Sequence, residues 1–251
     1  MKKLVLQFSS ILTIAIFLNS CGSVEKPQQY SIEQFMDVIS VNGGSFSIDE
    51  SKLLVNSNES GIFNAIEIDI SSGEQKSLTT SETNSVFSRS YFPNDNRFVF
   101  ASDRGGNEIT HLYVQNPGGK IIDLISDSTA KAEFVGWSFD KQKLYYTSNS
   151  RDKRYFDLYK ISVESLKSES EVVSPQEIFK NEKGFNISSI SRDEKYIALT
   201  ESITTSNTNI YLLESTSGEI KLITPHQGDI QYSPQYFSTD GSRIILFDRR
   251  Q

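Results

Sequence analysis

The sequence predicts an all-β fold of the β-propeller type: four complete four-stranded blades and half of a fifth, forming an incomplete ring. Three observations carry that prediction. One phrase is written five times, as SFSIDESKLLVNS, YFPNDNRFVFAS, WSFDKQKLYYTS, SISRDEKYIALTE and YFSTDGSRIILFD. Its turn residues, Asp49, Asn94, Asp140, Asp193 and Asp240, are separated by 45, 46, 53 and 47 positions, a period that suits a unit of four strands. Short segments rich in branched and aromatic side chains follow each turn in the same order, with the alternation of half-buried sheet.

Each unit is read from its turn outward. Leu53, Phe98, Leu144, Ile197 and Ile244 open the strand after the turn, and Ser57, Ser102, Ser148, Glu201 and Asp248 are expected to end it. A second strand follows as AIEIDI, HLYVQ, DLYKIS and NIYLLE, and KSLTT, IIDLIS and IKLITP supply closing strands. Gly73, Gly118 with Gly119, and Gly218 allow the left-handed backbone of the intervening turns. The third unit carries the insertion ESLKSESEVVSP instead, which accounts for its longer spacing. The strand before each turn, as in EFVGWS and IQYSPQYF, completes the set of four. One four-stranded sheet cannot bury both its faces, whereas radially stacked sheets bury each face on a neighbour. A β-sandwich also uses short strands, but its strands would not return with one turn phrase at one period.

The N-terminus is read separately. Lys2 and Lys3 precede an apolar run from Leu4 to Phe17, too short for a comfortable membrane span, and LNSC follows. Residues 1–20 are therefore expected to be a signal peptide, and Leu18 to Cys21 resemble the bacterial lipobox, in which the cysteine carries a lipid. Cys21 is the single cysteine, so no disulfide forms within the chain, and a lipid anchor to the membrane is the expected use of its thiol. Residues 21–40 are expected to hold the lipidated cysteine, a polar tether and a short helix capped by Ser31 and Gln34, and residues 41–251 the propeller blades. Cleavage before Cys21 removes two lysines and no acid, moving the formal charge from −7 to −9. Nucleic acid and anionic lipid are disfavoured as partners, because both need a basic face. An exported lipoprotein, at the periplasmic side or the cell surface of a bacterium, is the expected location.

The repeated phrase resembles the Asp-containing repeat of TolB-like propellers. From about residue 30 onward the chain is also similar to the N-terminal propeller of prolyl oligopeptidase-type serine peptidases: YSIEQFMDVISVNGGSFSIDESKLLVNSNESGIFNAIEIDISSGEQKSLT resembles the start of that propeller, and YFPNDNRFVFASDRGGNEITHLYV and GWSFDKQKLYYTSNSRDKRYFDLYKI strengthen the likeness. That resemblance implies a propeller that restricts entry and positions peptide for an α/β-hydrolase domain carrying Ser, Asp and His. The second strand of the fifth unit reaches Gln251, so the chain is expected to be the N-terminal part of a longer polypeptide. A TolB-like scaffold for a periplasmic protein, peptide or glycan is the alternative.

The residues themselves hold no Gly-x-Ser-x-Gly nucleophile motif; the nearest stretch, Gly43 to Ser47, lacks the final glycine. The chain as it stands is expected to hydrolyse nothing and to need no cofactor or metal. His111 and His226 lack the company of other ligands, and the turn aspartates lack the ligand spacing of a calcium loop. Those aspartates are expected to accept hydrogen bonds from amides two residues on. The most unusual polar stretch is SNSRDKRYFD, from which Arg151, Arg154 and Tyr155 are candidate substrate-facing residues, since arginine pairs with a peptide carboxylate.

Overall fold

A computed structural model describes residues 27–167 and 174–250. The segment before residue 27, with Cys21 and the expected signal peptide, lies outside the described residues. The chain separates into a unit ending at Val38 and a body starting at Ile39. In the first, α1 (Ile32–Met36) carries the reciprocal cap its sequence predicts: the Gln34 amide donates to Ser31 Oγ at 3.2 Å and the Ser31 amide to Gln34 Oε1 at 3.1 Å.

The body is a succession of antiparallel sheets in chain order. The first holds β1 (Val41–Phe46), β2 (Lys52–Ser57), β3 (Asn64–Asp69) and β4 (Gln75–Ser77). The second holds β5 (Phe87–Tyr91), β6 (Phe98–Ser102), β7 (His111–Gln115) and β8 (Ile121–Asp123). The third holds β9 (Ala132–Trp137), β10 (Lys143–Asp152), β11 (Tyr155–Ser162) and β12 (Gln176–Phe179). The fourth holds β13 (Asn186–Ile190), β14 (Tyr196–Thr204), β15 (Asn207–Glu214) and β16 (Ile220–Leu222), and β17 (Ile230–Phe237) pairs with β18 (Ile244–Arg250) in the fifth. These are propeller blades, and among the described residues no sheet joins strands from the two ends of the chain. The strands after the third, fourth and fifth turns run past Ser148, Glu201 and Asp248, because long hairpins continue their pairing.

Alternation along single strands shows how the sheets hold together. Phe98 and Phe100 of β6 pack with Leu54 and Ala65 of the first sheet, while Val99 and Ala101 pack with Leu144 and Tyr146 of the third. In β10 the same split sends Leu144 and Tyr146 towards the second sheet and Tyr145 towards Ile197 and Leu199 of the fourth. Each large side chain so buried contributes about 1.5–3 kcal/mol. Polar links follow the same route: Trp137 Nε1 donates to Ser90 Oγ at 2.9 Å, and the Ser88 amide donates to buried Asn56 Oδ1 at 2.6 Å. On the terminal sheets Val41, Phe46, Ile245 and Phe247 remain exposed.

Four of the repeated turns share one hydrogen-bonded pattern. A serine hydroxyl donates to the carboxylate two residues on, as Ser47 does to Asp49 at 2.7 Å and Ser191 to Asp193 at 2.7 Å. The carboxylate also takes the amide two residues further, from Ser51, Gln142, Lys195 and Ser242. These contacts hold the next residue left-handed, with φ of 57° at Glu50, 61° at Lys141, 59° at Glu194 and 69° at Gly241, although only the last is glycine.

The second turn is built otherwise. Asn94 holds the equivalent place, but its amide reaches across to Lys141 O at 2.9 Å, and Asp95 is the carboxylate that accepts an amide two residues on, from Arg97. The reason is that Phe92 replaces the serine and packs on Trp137 at 4.7 Å, leaving no hydroxyl to anchor a side chain at 94. Buried Arg97 lies over the Phe92 ring, forks onto Asp95 at 2.9 and 2.7 Å and reaches Val163 O, just after β11. Asp95→Ala should therefore destabilise the fold by about 2–4 kcal/mol, less than for a fully enclosed pair because Asp95 keeps solvent access. Urea unfolding followed by circular dichroism checks this, and a near-zero effect would deny the pair its role between sheets.

The turn carboxylates also set an acid limit. Asp49 and Asp240 are drawn from the ordinary 3.8 to about 2, first by the hydroxyls of Ser47 and Ser238 and then by Ser51 and Ser242. Folding lowers these pKa values, so their stabilisation is complete above roughly pH 4 and is lost as pH falls through about 2. Urea midpoints measured from pH 6 to pH 2 should fall below pH 4, and the Asp49→Asn, Asp240→Asn double variant should begin lower and fall less.

Candidate functional site

The innermost strand of every sheet contains one residue too many. Between Asn42 and Ser45, Ser88 and Ser90, Phe134 and Gly136, Ile187 and Ser189, and Pro234 and Tyr236, the pairing with the next strand slips by one. The extra residues are Gly44, Arg89, Val135, Ser188 and Gln235, each five positions before the corresponding turn residue. A β-bulge bends a strand and re-aims its side chains. Two of these residues, Val135 and Ser188, line a cleft of about 390 Å³ between the third and fourth sheets.

Strand ends and one link build that cleft. Glu133 and Phe134 come from β9, Thr147 from β10, Arg154 and Phe156 from the β10–β11 hairpin, and Asn181, Phe185 and Asn186 from the run into β13. The size suits a short ligand segment, and its lining combines aromatic faces with amide, hydroxyl and charged groups.

Arg151, Arg154 and Tyr155 have distinct places here. Arg151 belongs to β10, and its guanidinium grips fully buried Asp157 at 2.6 and 2.7 Å while donating to Asn181 O at 2.9 Å. The bond to Asp157 pushes the Arg151 pKa up, so the group stays cationic. Asp157 also accepts the Asn181 amide at 2.7 Å, and the Asn181 side chain bonds both Phe156 O and Phe185 O. Arg151 thus holds the wall of the cleft. Arg154 forms part of the lining: it forks onto Asp152 at 3.0 and 2.7 Å, lies over the Tyr155 ring at 5.1 Å, and its side chain is 74% exposed. The bond with Asp152 raises the Arg154 pKa and draws that of Asp152 down. Tyr155 stands against Gly184, whose φ of 73° sets the bend before β13.

Elsewhere, His111 is buried with Nδ1 at 2.9 Å from Asp123, and His226 Nδ1 faces Thr224 O at 2.8 Å. Among the described residues no group of three or more His, Cys, Asp or Glu side chains is placed to hold a metal, and no helix is long and apolar enough to cross a membrane. Sequence reasoning missed the bulges and the wall formed by Asn181, because the extra residues share no side-chain type and the Asn181 contacts join the hairpin to the run before β13.

Four-stranded antiparallel blades with bulged inner strands and interblade clefts define a β-propeller. Residues 78–247 match the prolyl oligopeptidase, N-terminal beta-propeller domain, and the chain belongs to that family. No curated protein matches it in sequence. Among solved structures, TolB from Acinetobacter baumannii is similar with a TM-score of 0.54 and 16% identity, over 85% of this chain and 55% of that one. Putative TolB from Agrobacterium tumefaciens gives 0.55 and 15%, over 84% and 70%. A mutant of prolyl oligopeptidase B from Galerina marginata, bound to a 35mer hydrolysis and macrocyclization substrate, gives 0.60 and 10%, over 83% of this chain and 30% of that one. The chain thus spans about half of the first of these proteins and under a third of the last.

The two arginines should separate on mutation. Arg151→Met leaves the Asp157 carboxylate buried without its cation and should lower the melting temperature markedly, whereas Arg154→Gln should leave it nearly unchanged. Differential scanning calorimetry of both variants checks the assignment, and equal effects would contradict it.

Proposed function

We propose that this chain is the non-catalytic propeller portion of an exported prolyl oligopeptidase-like serine peptidase, which admits peptide segments and positions them for a hydrolase domain. The observation that carries this reading is the family match across residues 78–247, coinciding with the cleft between the third and fourth sheets. In that role the inner strands supply unpaired backbone and polar side chains at the bulges, and the Arg154 hairpin supplies a cation at the mouth. Both suit an extended peptide, which offers amides, carbonyls and carboxylates. The lipid on Cys21 would hold the protein at the membrane, at about 0.8 kcal/mol per buried methylene.

Trp137, the single tryptophan, lies at the end of β9 and reports on the inner strands. Its fluorescence should change saturably when proline-containing peptides of five to ten residues are added, while the peptides stay uncleaved. Labelled palmitate should enter the wild-type protein in bacterial cells and not the Cys21→Ala variant. Absence of peptide binding up to millimolar concentration would remove the substrate-positioning role.

A further inference from the structure

The cleft described above does not account for Arg89. Five residues before Asn94, it is the extra residue of the β5 bulge and the single charged side chain among the five bulge residues. It is exposed, and among the described residues it makes no ion pair or side-chain hydrogen bond. The field of Glu133, a lining residue of the cleft, attracts it without closing to an ion pair. The Trp137 Nε1 bond to Ser90 Oγ at 2.9 Å sets β5 beside β9, which carries Glu133, and partial desolvation draws the Arg89 pKa below the ordinary arginine range against the pull of Glu133. The contrast with the other three arginines discussed above is plain: Arg97 forks onto Asp95, Arg151 onto Asp157 and Arg154 onto Asp152. A cation kept on an inner strand, exposed and left without a fork partner, has its donors open for an anion.

We propose that Arg89 is the carboxylate-binding residue of the inner strands, taking a carboxylate of a bound peptide on its guanidinium beside the Glu133 end of the cleft. This rests on the peptide-positioning reading and names the chemical group that reading leaves open. Arg154 is the weaker candidate, since Asp152 already occupies its fork. A carboxylate on Arg89 comes either from the peptide C-terminus or from an acidic side chain, and both offer the same planar pair of acceptors.

The test compares three peptides of one sequence: with a free C-terminal carboxylate, with a C-terminal amide, and with the amide plus one internal glutamate. Binding is followed through Trp137 fluorescence and isothermal titration. The wild-type chain should bind at least one of the acidic peptides about tenfold or more tightly than the neutral amide, and whichever is preferred identifies the source of the carboxylate. Arg89→Gln should erase that preference, Arg89→Lys should retain part of it, and Glu133→Gln should increase it by removing a competing negative charge. The last is a gain that misfolding does not produce. Peptide binding with no acidic preference, or a preference that survives Arg89→Gln, would overturn the assignment and leave the peptide-positioning reading standing. Absence of binding by all three peptides would overturn both.

Discussion

The structure depends on one constraint: a four-stranded sheet has two faces, and neither is covered by its own residues. Every interior sheet must therefore send alternate side chains of each strand to different neighbours. In β6 the division is visible residue by residue, with Phe98 and Phe100 on one side and Val99 and Ala101 on the other. Long apolar runs such as FVFAS follow from that double duty, because a strand buried on both faces has little room for polar positions. Removing either neighbour would expose one set of side chains without disturbing a single hydrogen bond of the sheet. The open ends show that situation, with Phe46 and Phe247 in solvent.

Stacking of this kind requires each sheet to repeat its predecessor's geometry, and the turn phrase enforces it. Serine and aspartate together hold a residue left-handed even when it is Glu or Lys, so the hairpin does not rely on glycine. The same distance along the chain fixes the bulge, and both features keep step through the irregular spacing around the third unit's insertion. The insertion follows β11, outside the stretch that runs from bulge to turn, and so leaves that stretch of the third unit unchanged.

This explains what was legible in the sequence and what was not. Period, strand order, the boundaries of β17 and the cap on α1 are local patterns, and each is written in neighbouring residues. The displacement of the second turn's carboxylate from position 94 to 95 depends on Phe92 packing against Trp137, a contact spanning 45 residues. Arg151 looked like a companion of Arg154 because the two are close in sequence; across the hairpin, however, Arg151 meets Asp157 and Arg154 meets Asp152. The bulges were hidden for another reason. Gly44, Arg89, Val135, Ser188 and Gln235 share no chemistry, because a bulge is a property of backbone pairing and places no demand on the side chain it carries.

That freedom separates structure from recognition within each blade. Four of the five turn ends are committed to the serine and aspartate network, and the second keeps its hairpin through Asp95 and Arg97 instead. At the opposite ends the connections after the turn strand range from the Asn58–Phe63 loop to the two residues Lys153 and Arg154, with quite different side chains. Bulge residues lie between these two regions, on rigid strands yet unconstrained in type. A charged residue at such a position has its backbone fixed in a strand while its side chain meets solvent, a combination that suits a recognition group. Arg89 has that placement, whereas Arg154 sits at the tip of a hairpin whose geometry its own partner Asp152 maintains. Placement on a paired strand with an unoccupied guanidinium, more than charge alone, distinguishes the two arginines as candidates for holding a ligand.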